Sequence, residues 1–410
     1  MHVRKVLVAF GGLVALSAAG YGVLFTVLDD YREEYGVTEG ALGAIIGIGF
    51  VAAFLAQILL GPFADRGHAR RIVVIGTLAN VIGVALLAFS TSFLPLLLGR
   101  AISGFGLGMM LPAIRRIVIL ADPDRLGHNL GRLLSIDVAG FAVGPILSLL
   151  LVDRLGIAAP FMVVVAATLV LLPFTARVPI IETEVAADQS GPRFAFDLLG
   201  RRAYLGAVMF GCAMWLMMGA FDSMWAVMHR DLETSRWIAN FGITLFAVPL
   251  ILFGALGGRL AQRLGPFRVG TVGLLLGAVW MFAYGQAASG GIILGFAMLH
   301  AMSDSLTMSS AGVAAGMVVP ADRQAGAQGV VGGFQTLMAG VMAPIAGLLY
   351  ENFGRGTAYS VTAAAMVAFV VAGVLLAGRA WGMRAARPMI TPTTPVPGDP
   401  ASTVGVTAGS

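Results

Sequence analysis

The chain is 410 residues long, 58% hydrophobic and only 11% charged, with a mean hydropathy of +0.89 and a net charge of +5. Soluble domains average about 25% charged residues, so this chain lacks the polar side chains to cover a water-facing surface; that excludes a soluble domain and leaves an integral membrane protein. In a soluble protein the positive balance would suggest nucleic acid, but here the basic residues fall between apolar runs, where membrane orientation accounts for them, and no nucleic-acid partner is expected.

Taken in chain order, Arg4 and Lys5 precede an apolar run that continues to Leu28. Ser17-Ala18-Ala19 imitates a signal cleavage site, but the run is long enough to cross a bilayer and is expected to stay as the first helix. A ruler of roughly 20 apolar residues finds six spans in the first half, at 6–28, 41–63, 72–91, 93–118, 130–152 and 156–176. Six more follow at 204–228, 238–260, 267–287, 291–318, 328–349 and 358–380. The expected fold is therefore all-α, with twelve transmembrane helices in two six-helix bundles, 1–176 and 204–383. Residues 177–203 form a linker in which the segment from Arg193 to Arg201 alternates apolar and charged positions, as a short helix lying on the membrane surface would. Residues 384–410, rich in Pro, Thr and Gly, read as a disordered tail.

Lysine and arginine set the orientation. With the N-terminus cytoplasmic, 20 of the 26 basic residues fall on cytoplasmic segments, including Arg66, Arg70, Arg71, Arg115, Arg116, Arg125 and Arg132. Five fall on the other side and Arg100 lies inside a span. The positive-inside rule then gives a multi-pass protein of the plasma membrane with both termini cytoplasmic. The single cysteine, Cys212, excludes an intrachain disulfide and a cysteine metal site. No metal and no cofactor are expected.

The two halves repeat. Gly61-Pro62-Phe63-Ala64-Asp65-Arg66-Gly67-His68-Ala69-Arg70-Arg71 returns as Gly258-Arg259-Leu260-Ala261-Gln262-Arg263-Leu264-Gly265-Pro266-Phe267-Arg268, at an offset of 258 − 61 = 197. Asp124-Arg125 before the fifth span parallels Asp322-Arg323 before the eleventh, and Gly144-Pro145 parallels Ala343-Pro344. A constant offset implies pseudo-two-fold symmetry about the membrane normal, with a binding site at the interface of the halves near the midplane.

On these residues the chain resembles the major facilitator superfamily over all but its tail. The first loop is similar to the family signature Gly-x-Leu-Ala-Asp-Arg-x-Gly-Arg-Arg. It departs from that pattern where Gly67-His68 replaces an arbitrary residue followed by Gly, and where Ala69 replaces a basic residue. The resemblance implies a conformational gate built from Gly61, Asp65, Arg66, Arg70, Arg71, Gly258 and Arg263. Gly61 allows close helix approach, and Asp65 faces the positive N-terminus of helix eleven near Gly329 and latches the halves together. Gln262 in the second copy makes the latch asymmetric. Arg100-Ala101-Ile102-Ser103-Gly104-Phe105-Gly106 resembles the family's Arg-x-x-x-Gly-x-Gly motif. A charge this deep costs roughly 2.5–3.5 kcal/mol on insertion scales. Arg100 therefore faces a cavity or a proton relay, with Asp29 and Asp30 as candidate partners, or it snorkels as an anchor. Gly131, Gly140, Gly144 and Pro145 resemble the family's antiporter motif, Gly-x8-Gly-x3-Gly-Pro-x2-Gly, with Ser148 at the last position.

Carboxylates inside a bilayer are rare and functional by default. Asp137, Asp222 and Asp304, with His300 one turn before Asp304, are the proton-coupling candidates together with Arg100. A carboxylate in a low-dielectric site exchanges a proton near neutral pH. For His300 and Asp304 a structural pair joining two helices is the competing reading. Solvation near the interface competes at Asp222, and a bond to backbone or serine at Asp137. Methionines and aromatic rings crowd helix seven, which suits either a pocket for varied apolar ligands or simple packing. Trp215, Phe221 and Trp225 are cavity candidates there, with Tyr21, Phe25, Phe334 and Gln335 elsewhere.

The sum is a secondary active transporter, a monomer in the lipid bilayer, moving a small-molecule substrate against protons with the proton gradient as its energy source. The family resemblance points to efflux of small hydrophobic or amphiphilic compounds. The alternative is a proton symporter or facilitator for a nutrient or organic acid, with Arg100 as the carboxylate-binding cation. An enzyme is not expected: the five histidines show no His-Glu-x-x-His spacing, and no Gly-x-Ser-x-Gly elbow or nucleotide-binding Gly-rich loop is present.

Overall fold

The long apolar runs become helices because a bilayer leaves backbone groups no partners except each other. In a computed structural model, which describes residues 2–182 and 194–384, every regular element among those residues is helical. In order they are α1 (His2–Thr26), α2 (Leu28–Tyr35), α3 (Glu39–Leu60), α4 (Ala69–Phe89), α5 (Phe93–Ala121), α6 (Leu126–Leu155), α7 (Ala158–Arg177), α8 (Arg202–Asp231), α9 (Arg236–Leu264), α10 (Pro266–Gln286), α11 (Gly290–Thr307), α12 (Ser310–Val318) and α13 (Gln324–Ala377). The short α2 carries Asp30, Arg32, Glu33 and Glu34 and lies beyond the end of the first span.

Among the described residues, eleven helical stretches are long and apolar enough to cross a membrane, the last of them covering 62 residues. That stretch is two spans, because Gly354 within α13 takes φ 79°, a left-handed conformation that turns the helix back. The tenth span is interrupted between α11 and α12. Twelve crossings result, six in each bundle, and both ends of the described chain lie on one side, here called the terminal side.

Within the bundles the helices meet through glycine, since small residues allow backbones to approach where hydrophobic driving force is absent. The Arg100 motif shows the logic. A Cβ on Gly104 would strike the backbone of Gly49 in α3, one on Gly108 would strike Ala53 of α3, and one on Gly106 would strike Gly76 and Asn80 of α4. The glycines thus serve two neighbours of α5 in alternation. Gly140 and Gly144 bring α6 onto Ala15 and Gly22 of α1. Ser148, at the motif's altered last position, accepts a hydrogen bond from Thr26 Oγ1 at 2.8 Å.

The described part of the linker packs one face against protein. Arg193 lies outside the described residues, but Ala195 and Leu198 are buried against the second bundle, and Ala195 packs on Gly326. The alternating pattern buries its apolar face in protein, leaving Phe194 and Phe196 exposed. The tail expectation falls on residues 385–410, outside those described.

Candidate transport site

The loop residues expected to gate the halves meet at the terminal ends of the helices. Asp65 sits in the 3-10 turn Gly61–Arg66, which Gly67 ends in a left-handed conformation at φ 73°. The displaced glycine of this signature copy therefore still closes the turn. Asp65 Oδ1 accepts from the Ala325 amide at 2.8 Å and from Arg116 Nε at 3.0 Å, and Oδ2 accepts from the Gly326 amide at 2.7 Å. These amides are orphan donors of the first turn of α13, where an anion is favoured. The carboxylate binds three and four residues nearer the helix start than Gly329, which instead packs against the Gln57 carbonyl and Gly61.

The second copy repeats the geometry without charge. Gln262 Oε1 accepts from the Gly127 amide at 3.0 Å, in the first turn of α6, while its Nε2 donates to the Asp124 carbonyl at 2.6 Å. A Cβ on Gly258 would fall on the Gly127 carbonyl, and one on Gly131 would fall on that of Gly254. Gly131 of the antiporter-type motif therefore acts across the bundle interface, whereas Gly140, Gly144 and Pro145 lie further along α6, where the two glycines contact α1 within one bundle. Gln57 adds a cross-bundle bond to Thr336 at 3.2 Å. Arg70 donates to the Ala176 and Val178 carbonyls, while Glu182 accepts from the Ala69 and Arg70 amides. Arg66 is half-buried, and Arg71 and Arg263 are exposed charges.

Two basic residues counted as loop cations lie within the helix instead, Arg116 buried and Arg115 half-buried. Arg116 is fully buried on Asp65 and also donates to the Ile181 carbonyl at 3.1 Å. Arg115 lines a cavity of about 60 Å³ between the bundles, opposite Asp137 and beside Gln328 and Gln335. Both lie within α5, so they record a gate and a cavity rather than a solvated loop.

Further along, Phe50 of α3 approaches Gly340 of α13, and Phe25 and Asp222 are exposed, in a region here called the vestibule. Tyr21 makes edge or tilted contacts with Phe25, Phe50 and Phe141 at 5.0–6.1 Å between ring centroids. Arg100, 5% exposed, stacks its guanidinium 4.2 Å from the Tyr21 ring. Gly49 leaves the room, since a Cβ there would occupy the guanidinium. The guanidinium thus makes a cation–π contact with Tyr21. Asp30 lies on α2, and the side chain of Asp29 is outside the described residues. Asp222 is within electrostatic reach of Tyr21.

The aromatic residues of helix seven divide. Phe221 and Trp225 are 1% and 3% exposed and belong to the core of the second bundle, not to the vestibule. Phe221 packs on Phe246, Tyr284 and His300, and Trp225 on His229. Trp215 and Phe334 are half-buried against the same core. His300 and Asp304 are fully enclosed there: His300 Nε2 is 3.4 Å from Asp304 Oδ2, and its Nδ1 is 3.0 Å from the Tyr284 hydroxyl. The Tyr284 bond joins α11 to α10 inside one bundle rather than between two. Phe50, Phe141, Tyr284 and Arg115 were not anticipated; the one local signal was an Arg-Arg pair inside the boundary of an apolar span.

Two six-helix bundles related by a pseudo-two-fold axis, sealed at one end around a central interface, define a twelve-span membrane transporter rather than an enzyme. A family model of the Major Facilitator Superfamily matches residues 10–224 and 203–404, and the chain belongs to that family. It is 26% identical over 370 residues to an uncharacterized major-facilitator-type transporter of Salmonella typhimurium, covering 87% of this chain and 92% of that one. It is 30% identical over 132 residues to the quinolone resistance protein NorA of Staphylococcus aureus, covering 31% of this chain and 33% of NorA. Among solved structures, the human organic anion transporter MFSD10 superposes with a TM-score of 0.79 at 16% identity, over 91% of this chain and all of the other. The Escherichia coli fucose:proton symporter FucP superposes with a TM-score of 0.74 at 16% identity, over 92% of this chain and 99% of the other.

Proposed function

We propose that this transporter exports small hydrophobic or amphiphilic compounds in exchange for protons, by rocking the two bundles about the central interface. The observation that carries the reading is the vestibule: Tyr21, Phe25, Phe50 and Phe141 form an aromatic wall with one carboxylate, Asp222, in reach of it. Flat rings bind varied apolar bodies without fixed hydrogen bonds, and a carboxylate exchanges a proton or meets a cationic head. The partial likeness to NorA and the α6 motif support the same direction. In this reading the terminal side is cytoplasmic, the membrane is the plasma membrane and the unit is a monomer. The proton gradient is its energy source, and Asp137, Asp222 and Asp304 with His300 are the coupling groups.

A second reading rests on Arg100. Its Nε has no hydrogen-bond partner although the residue is buried, so its cation suits the carboxylate of an organic acid.

Inside-out vesicles energised to an acid interior and loaded with a pH dye test both readings. Hydrophobic cations and quinolones are expected to release protons from vesicles holding the wild type and not from those holding Asp222→Asn. Release by organic acids alone, lost in Arg100→Gln, would replace export of amphiphiles with the second reading.

A further inference from the structure

The cavity between the bundles is walled by α1, α5 and α6 of the first bundle and by Met308, α12 and α13 of the second, with Ser309 just before α12. Arg115 and Asp137 are the two charged side chains among its lining residues, and both come from the first bundle. They act on each other electrostatically across the space. The second bundle offers them amides and a hydroxyl but no counter-charge. Gln328 is fully buried, and its Nε2 is used on the Gly312 carbonyl at 2.9 Å while its Oε1 has no partner. Ser309 Oγ, 7% exposed, has none either. Arg115 also reaches α13, with its Nη1 beside Gly332. Unpartnered buried polar atoms around a void of this size suit a few bridging waters.

We propose that Arg115 and Asp137 form a proton-binding pair whose net charge decides whether the terminal side stays sealed. With Asp137 ionised the pair is neutral, and the bundles close over it. A proton on the carboxylate leaves the half-buried guanidinium as a lone cation in the narrow space between the bundles. Removing one partner of a buried pair is strongly destabilising because the other charge is left unpaired. Parting α6 from α9, and α13 from α3, relieves this by admitting water to Arg115. Proton binding to the form open at the vestibule therefore drives it toward the form open on the terminal side, the step an exporter requires before it loads its next substrate.

The groups facing Asp137 leave few other sources for such a response. From α1 comes Val14, from α5 Leu111 and Arg115, and from α13 Gln328, Val331 and Gln335. From α9, the Leu250 carbonyl takes the neighbouring Ser135 hydroxyl at 3.3 Å. Met308, Ser309 and Gly312 complete that wall. On α6 itself Arg132 is exposed, and His128 is turned to the Ala255 carbonyl at 3.4 Å.

The role given to the pair rests on the proton-coupled reading above, but its test needs no substrate. Spin labels on Arg125→Cys and Leu264→Cys, in a Cys212→Ala background, report the terminal-side separation of the bundles in nanodiscs by electron–electron distance measurement. The protein with native Arg115 and Asp137 is expected to open as buffer passes from alkaline to acidic. Asp137→Asn is expected to raise the open-to-closed ratio at alkaline pH by at least about tenfold, the scale of an unpaired buried cation, and to lose most of the pH response. Arg115→Gln/Asp137→Asn is expected to close again, and Arg115→Gln alone to stay closed across the range. Asp137→Glu is expected to keep the response. An Asp137→Asn protein that titrates like the native pair, or a double variant as open as the single, overturns the proposal. Should Asp137→Asn fail to fold, pH-driven opening in Arg115→Gln does the same. A silent vesicle assay with an intact distance response removes the export reading and keeps the pair; the reverse removes the pair and keeps export.

Discussion

At the scale of single residues, Asp65 carries more of the closed gate than any other side chain described. It holds two amides of α13 and the guanidinium of Arg116, all three at hydrogen-bond distance. Hydrogen bonds to a charged group contribute about 1.5–3 kcal/mol each, and losing Asp65 also strands a buried cation. Asp65→Ala is therefore expected to lower the thermal midpoint of the purified protein by several degrees, and Arg116→Leu added to it is expected to recover part of the loss. Unfolding followed by tryptophan fluorescence and light scattering checks this; an unchanged midpoint in the single variant would remove the latch. The sequence made Asp65 legible because a repeated loop framed it. Arg116 was not legible, since Arg-Arg at the end of an apolar run looks the same whether it meets lipid headgroups or a carboxylate from another helix. Phe221 and Trp225 illustrate the opposite error. Their spacing could not tell the face of α8 toward the vestibule from the face toward His300.

At the scale of elements, glycine spacing decides which helices touch. Gly140 has no room for a side chain against Ala15, whereas Ser148 already has one and uses it on Thr26. Gly140→Leu is expected to split α1 from α6 and to abolish the monodisperse peak in fluorescence-detected size exclusion. Ser148→Gly restores the family pattern and removes one hydrogen bond, a loss of about 1 kcal/mol, so it is expected to elute normally. Equal behaviour of the two variants would show that the motif is not a packing surface. The spans themselves were readable from apolar length, because the bilayer fixes how long a helix must be. The turn at Gly354 was readable only as a gap between two spans, since several glycines near it offered the same permission to bend.

At the scale of the whole molecule, the contacts between the bundles gather around Asp65, Gln57, Gly131 and Gln262, while Asp222 is exposed. In a Cys212→Ala background, Asp222→Cys is expected to react quickly with a membrane-impermeant thiol reagent from the side opposite the termini. Gln335→Cys, 6% exposed at its native side chain and lining the sealed cavity, is expected to stay protected from the terminal side. Faster labelling of Gln335→Cys from that side would mean that the gate stands open in the membrane.

The sequence by itself determined the membrane class, the twelve apolar spans, the two-fold repeat and the landmarks of the gate. Each of these is a property of local composition or of one segment's likeness to another, and neither needs a neighbour to be read. Only the tertiary structure decided which charges share a space. Arg115 faces Asp137, Arg100 lies on Tyr21 over Gly49, and His300 bonds Tyr284 inside one bundle, because the face a helix presents is set by the helices packed around it. An all-round apolar helix carries little periodic signal of that choice: lipid and protein neighbours are both apolar, and hydrophobicity cannot distinguish them.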